Sequence, residues 1–165
     1  MAAAYDPAQW HDFGTSFAAA AGALLGLAFV AISFNLDPIL KGKSLPGRAI
    51  ETLAFFAYAL AASLLIQLPG LSGVGLGIGQ AILAAGVVVL VARNVPRWKQ
   101  ERGNPLSWRL MHFSPAVLTA ALAVVGAVGT ITTSAGGLYW LAAAMTVATA
   151  FGLTNSWVLL VEIRR

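Results

Sequence analysis

The chain has 165 residues, of which 59% are hydrophobic and only 10% charged, against about 25% charged in an average soluble domain. That balance, with a mean hydropathy of +0.81, excludes an ordinary soluble globular domain, a disordered chain and a nucleic-acid-binding module, and it points to lipid as the solvent. Lys and Arg outnumber Asp and Glu by ten to six, so the placement of the cations carries the information; the absence of cysteine excludes disulfides, thiolate metal sites and cysteine nucleophiles.

The first uncharged run covers residues 13–36 and stops at Asp37-Pro38, because proline disfavours the helical conformation in the residue before it. Its helix is expected to start earlier: Asp6 can cap, Pro7 suits the first helical position, and Gln9 stands where a capping-box partner belongs. Residues 7–34 would span about 42 Å at 1.5 Å per residue, more than the ~30 Å hydrocarbon layer, so Trp10 and His11 should lie among headgroups and the helix should tilt. The first span is therefore placed at about 10–35. The second, 49–68, ends at Pro69-Gly70, and the third, 71–92, ends before Arg93. The fourth, 113–133, has Ser114 as its expected cap and Pro115 at its first helical position. The fifth, 138–161, follows across the tight Ser134-Ala135-Gly136-Gly137 connection. Each run is apolar all round, without the edge charges of a coiled coil. The first lacks the cationic leader of a signal peptide and is too long for one. The expected fold is all-α: a single polytopic membrane helical bundle with five transmembrane helices.

The cations fall in three places. Lys41, Lys43 and Arg48 lie between the first two spans, Arg93, Arg97, Lys99, Arg102 and Arg109 between the third and fourth, and Arg164 and Arg165 after the fifth. An odd number of crossings puts all three on one side. The positive-inside rule then makes that side cytoplasmic, with the N-terminus outside and the C-terminus cytoplasmic. A four-span arrangement would scatter the cations over both faces. The loop between the third and fourth spans also carries Trp98 and Trp108, and Asn104-Pro105 could open a short interfacial helix. Its five cations are candidates either for anionic-lipid anchoring or for docking a soluble partner.

No Asp, Glu, Lys, Arg or His stands at the centre of a span, which leaves no Schiff-base lysine, proton relay or catalytic constellation and implies no metal or cofactor. His11 and His112 should lie on opposite faces of the membrane, against shared haem ligation. The uncharged polar residues Gln80, Thr146, Thr149, Asn155 and Ser156 remain, with Thr146, Thr149, Gly152 and Ser156 following one helix face. They either make interhelical or back-bonded hydrogen bonds or line a narrow polar path. Gly22 and Gly26 form a small-residue stripe with Ala18 on the first span. Gly73 with Gly77, and Gly75 with Gly79, form two more on the third. Such stripes let backbones approach, inside one chain or between chains. The first span could pack on the third, and the outer part of the third, with its four alternating glycines, could be irregular.

The segment Gly22-Ala-Leu-Leu-Gly-Leu-Ala-Phe-Val-Ala-Ile-Ser-Phe-Asn-Leu-Asp-Pro-Ile-Leu40 resembles the first span of a group of small bacterial multi-pass membrane proteins. Some of these carry a label as modulators of the FtsH membrane protease. The resemblance covers about the first two spans. It implies a bacterial inner membrane and an accessory or regulatory role, and it supplies no catalytic residues. Two functions are carried forward. One is a non-enzymatic accessory or regulatory subunit that packs, as a homo-oligomer or on a membrane-protein partner, within the bilayer. The other is a small homo-oligomeric channel with an uncharged polar lining, to which the Thr130, Thr132 and Thr133 cluster would add a mouth. An enzyme or electron carrier ranks below both.

Overall fold

Asp6 does open the first helical segment. Its carboxylate accepts the Ala8 N–H at 3.1 Å and the Gln9 side-chain amide at 3.0 Å. In the computed structural model, which describes residues 4–42, 45–98 and 106–163 (the side chains of 95–98, 106–112 and 162–163 excepted), Pro7–Trp10 is a 3-10 turn that leads into α1, His11–Phe34. The stop comes two residues before Asp37. Asn35 leaves the helical region at φ −114° and ψ 25°, and its side-chain amide donates to the Ala31 carbonyl at 2.8 Å. Pro38 has no N–H to offer the Phe34 carbonyl. Asp37-Pro38 therefore lies inside a second, short helix, α2, Leu36–Lys41.

Four long helices follow: α3 (Leu45–Ile66), α4 (Gly73–Trp98), α5 (Leu106–Thr132) and α6 (Leu138–Ile163). All regular structure among the described residues is helical. Five segments are long and apolar enough to cross a membrane: Pro7–Phe34, Leu45–Ile66, Gly73–Asn94, Phe113–Thr132 and Leu138–Val161. The largest departure from the sequence reading is at the connection between α4 and α5. The helix α4 runs on past Arg93 to Trp98, and α5 starts at Leu106, so Pro115 is inside α5 and Ser114 is not its cap. Pro115 forfeits the bond to the Met111 carbonyl, but the helix continues through it. Asn104 and Pro105 lie outside the described residues, and the segment after them is the start of α5 rather than a separate interfacial helix. The glycine-rich beginning of α4 is regular helix from Gly73 onward.

The helices α3, α4, α5 and α6 close a ring, each packed on its two neighbours, and α1 lies outside it against α3. Burial follows this order. The helix α3 buries twelve of its residues, from Gly47 to Ile66, whereas α1 buries only Gly14 and Ala21. The interior is rich in alanine, with Ala62, Ala84, Ala123, Ala144 and Ala148 beside Phe55, Leu76, Leu141 and Met145. The turns Pro69-Gly70 and 133–137 lie at one end, here called the hairpin end. Among the described residues positive φ is confined there, at Gly70, Thr133, Ala135, Gly136 and Gly137. The opposite, basic end holds Lys41, Arg48 and Arg93.

Close backbone approach holds the ring. A Cβ added to Gly77 would meet the Ala127 carbonyl at 2.8 Å and the Ile131 side chain at 2.7 Å; one added to Gly73 would meet the Thr130 carbonyl at 3.2 Å. The Gly73/Gly77 stripe therefore seats α4 on α5 and not on the first span. Gly79 receives Leu65 of α3, and Gly75 faces its own Leu71 and Ser72. A Cβ at Gly22 would lie 3.8 Å from Leu60 of α3, and one at Gly26 would meet nothing within 4 Å. Gly77→Val should cost about 1–3 kcal/mol by overpacking this seam. Gly26→Val should stay within about 0.5 kcal/mol. Denaturation of the two variants in the same detergent measures the contrast.

Candidate functional site

Two features could carry function: the polar groups inside the ring and a groove on its flank. Gln80 is fully buried on α4, and its amide nitrogen donates to the Ala62 carbonyl of α3 at 3.0 Å. It does not join the polar stripe of α6. On that stripe Thr146 is exposed, and its hydroxyl donates to the Ala142 carbonyl at 2.9 Å. Thr149 and Ser156 are half-buried and donate to the carbonyls of Met145 and Gly152, both at 2.9 Å. Asn155 is half-buried. The middle of the stripe is closed, because a Cβ at Gly152 would meet the Phe56 ring of α3 at 2.6 Å. A hydroxyl bonded to its own helix has already used its donor, so these residues form no continuous polar lining within one chain.

The N-terminal segment covers the hairpin end of the ring. The Tyr5 hydroxyl accepts the Gly136 N–H at 3.0 Å, and the Trp10 ring meets Tyr139 edge-on with centroids 4.9 Å apart. Thr15 donates to the Gln67 side-chain oxygen at 2.9 Å, and the Gln67 amide returns to the Ser63 carbonyl at 3.2 Å. Thr130 and Thr132 bond back to Gly126 and Val128, so the threonine cluster braces the end of α5. His11 starts α1 at this end, while His112 is placed by its backbone near the opposite end of α5.

On the flank, α1, α3 and α4 border an open groove of about 600 Å³. Its walls are Gly22, Gly26 and Phe29 of α1, Ala54 and Ala57 of α3, and Leu90 of α4. Glycine and alanine on both walls expose backbone to whatever enters. The groove lies towards the basic end, where Arg93 is exposed one turn beyond Leu90. Arg97 and Arg109 are in α4 and α5, with side chains outside the described set; Lys99 and Arg102 lie outside the described residues altogether. Glu51, nearly two turns into α3, is buried, and it and Arg48 are both engaged in interactions. A second, small cavity of about 40 Å³ lies between α1, α2 and α6, next to Ser156 and Ile39.

No family model, curated protein or solved structure matches this chain. The functional reading therefore stands on its own residues.

Sequence reasoning overlooked Tyr58, Asn94 and Thr119, which are as buried as Gln80. A hydroxyl or amide within an otherwise apolar run was the available signal. If the α6 hydroxyls serve only their own helix, Thr149→Val and Ser156→Ala should each alter stability by no more than about 0.5 kcal/mol. Gln80→Ala, which removes a buried interhelical bond and leaves a void, should cost about 2 kcal/mol or more. Equilibrium unfolding of the three variants decides this.

Proposed function

We propose that the protein is a non-enzymatic accessory or regulatory subunit of a bacterial inner membrane, with its N-terminus outside and its C-terminus cytoplasmic, and that it acts by packing a partner helix against its α1–α3–α4 flank. The observation that carries this reading is the groove. Helices gain little by exchanging lipid for another apolar helix, so association depends on surfaces where backbones come close. Gly22, Gly26, Ala54 and Ala57 supply such a surface, and Gly26 has free space above it. The proposed orientation rests on Lys41, Arg48 and Arg93 sharing one end of the bundle, which the positive-inside rule makes cytoplasmic. The resemblance of residues 22–40 to a bacterial membrane-protein group supports the compartment and the accessory role. A pore has weaker support. The α6 hydroxyls are bonded to their own helix, Phe56 fills the middle of their face, and the N-terminal segment lies over the hairpin end.

A photo-crosslinking residue placed at Gly26, in native membranes, should give one protein adduct of defined size. The same residue at Leu27, which is exposed but lines no part of the groove, should give none. Filling the groove with Gly22→Phe should abolish the Gly26 adduct. Adducts with lipid alone, or equal protein adducts from both positions, would overturn the proposal.

A further inference from the structure

Four described side chains, each at least nine-tenths buried, hold a polar atom without a hydrogen-bond partner: Tyr58 Oη, Gln80 Oε1, Asn94 Nδ2 and Thr119 Oγ1. Among the buried serine and threonine hydroxyls that are described, Thr119 is the exception. Thr52, Ser63 and Thr130 all donate to the carbonyl four residues back, at 2.7–2.9 Å, and Thr119 does not. An unmet polar group is costly in an apolar interior, so each of these atoms calls for a complement.

The interhelical contacts fix which of these residues share a level. Gln80 meets Ala62, so one turn further along, Ala84 of α4 is level with Tyr58 of α3. Gly73 meets Thr130, and eleven residues on along each antiparallel helix, Ala84 is level with Thr119. Gly126 meets Leu141, and seven residues on, Thr119 is level with Ala148 of α6. Tyr58 and Thr119 therefore share one layer of the ring, and Gln80 stands one turn, about 5 Å, above them. The other positions in these two layers are Ala62, Ala84, Ala123, Ala144 and Ala148, the smallest side chains that an apolar core can use. Asn94 is separate, ten residues or about 15 Å from Ala84 along α4, with Phe55, Val87 and Val91 buried in between. On the hairpin side Ile66, Leu76 and Leu138 are buried above Gln80. The polar layers are thus enclosed by apolar ones at both ends, as in an internal site and unlike a conduit.

We propose that Tyr58, Thr119 and Gln80 hold ordered water shared by α3, α4 and α5. The chemistry selects a small neutral ligand. The phenol and the threonine hydroxyl each donate or accept, the glutamine oxygen accepts, and among the described residues no ionised group lies in these two layers. Water, with two donors and two acceptors, satisfies all three, and a buried water needs two to four such partners. The bound water links three helices at mid-bundle.

Radiolytic hydroxyl-radical labelling of the protein in lipid nanodiscs tests this, because radicals made from bound water oxidise the side chains beside it. Tyr58 should be oxidised, while Phe55 and Phe56, buried to the same degree, should not. Thr119→Val, nearly isosteric, should abolish Tyr58 labelling; if that variant fails to assemble, Gln80→Met gives the same readout. Tyr58 labelling no greater than that of the two phenylalanines, or labelling unchanged by the substitution, would overturn the site.

Discussion

The bundle shows Leu, Val, Ile and Phe on its outside as freely as it buries them. Leu27, Phe29, Ile82, Val117 and Leu153 are exposed, while Phe55, Leu76 and Leu141 are buried. In lipid such helices have no hydrophobic reason to meet, and what holds them is the fit of one backbone against another together with a few hydrogen bonds. The ring shows this at every seam. Gly77 admits the Ala127 carbonyl, Gly126 admits Leu141, Gly152 admits the Phe56 ring, and Gln80 ties α4 to α3. Remove the small residues and the layers of alanine behind them lose their register.

The same rule separates α1 from the rest. It packs on α3 yet buries only Gly14 and Ala21, and its glycines are only partly used: a Cβ at Gly14 would meet Gln67, one at Gly22 would touch Leu60, and one at Gly26 would meet nothing within 4 Å. The aromatic and hydrogen-bonded contacts of α1 gather at the hairpin end, through Trp10, Tyr139, Thr15 and Gln67. Towards the basic end it is held by α2 and the small cluster of Ile39, Ala49 and Leu159. Between these two anchors lies the groove. A groove on the flank can admit another helix without disturbing the ring, and this is why the flank rather than the interior is proposed for partner binding.

The spans were legible because charge and apolar length are properties of composition, and Pro7–Phe34 or Leu138–Val161 needs nothing else. Pro115 misled the reading of α5, since a proline suits a first turn but is also tolerated inside a long helix whose neighbours hold it. The glycine stripes announced close approach without naming the partner. Gly73 and Gly77 touch α5, although the sequence equally allowed the first span. Gln80 was visible as a polar residue in an apolar run, while its acceptor, a backbone carbonyl at Ala62, has no sequence signature. Tyr58 and Thr119 passed unnoticed because each alone is ordinary, and only the antiparallel register places them on one level.

The packing scheme is most directly tested by disulfide formation, since the chain contains no cysteine of its own. A Cβ at Gly73 would lie 3.7 Å from Thr130 Cγ2, so the two positions face each other across the α4–α5 seam. Oxidation of the Gly73→Cys, Thr130→Cys variant in membranes should therefore link α4 to α5 inside one chain. The competing arrangement, with the first span on the third, would instead link Gly22→Cys to Gly77→Cys; that bond, with none between positions 73 and 130, would contradict the ring.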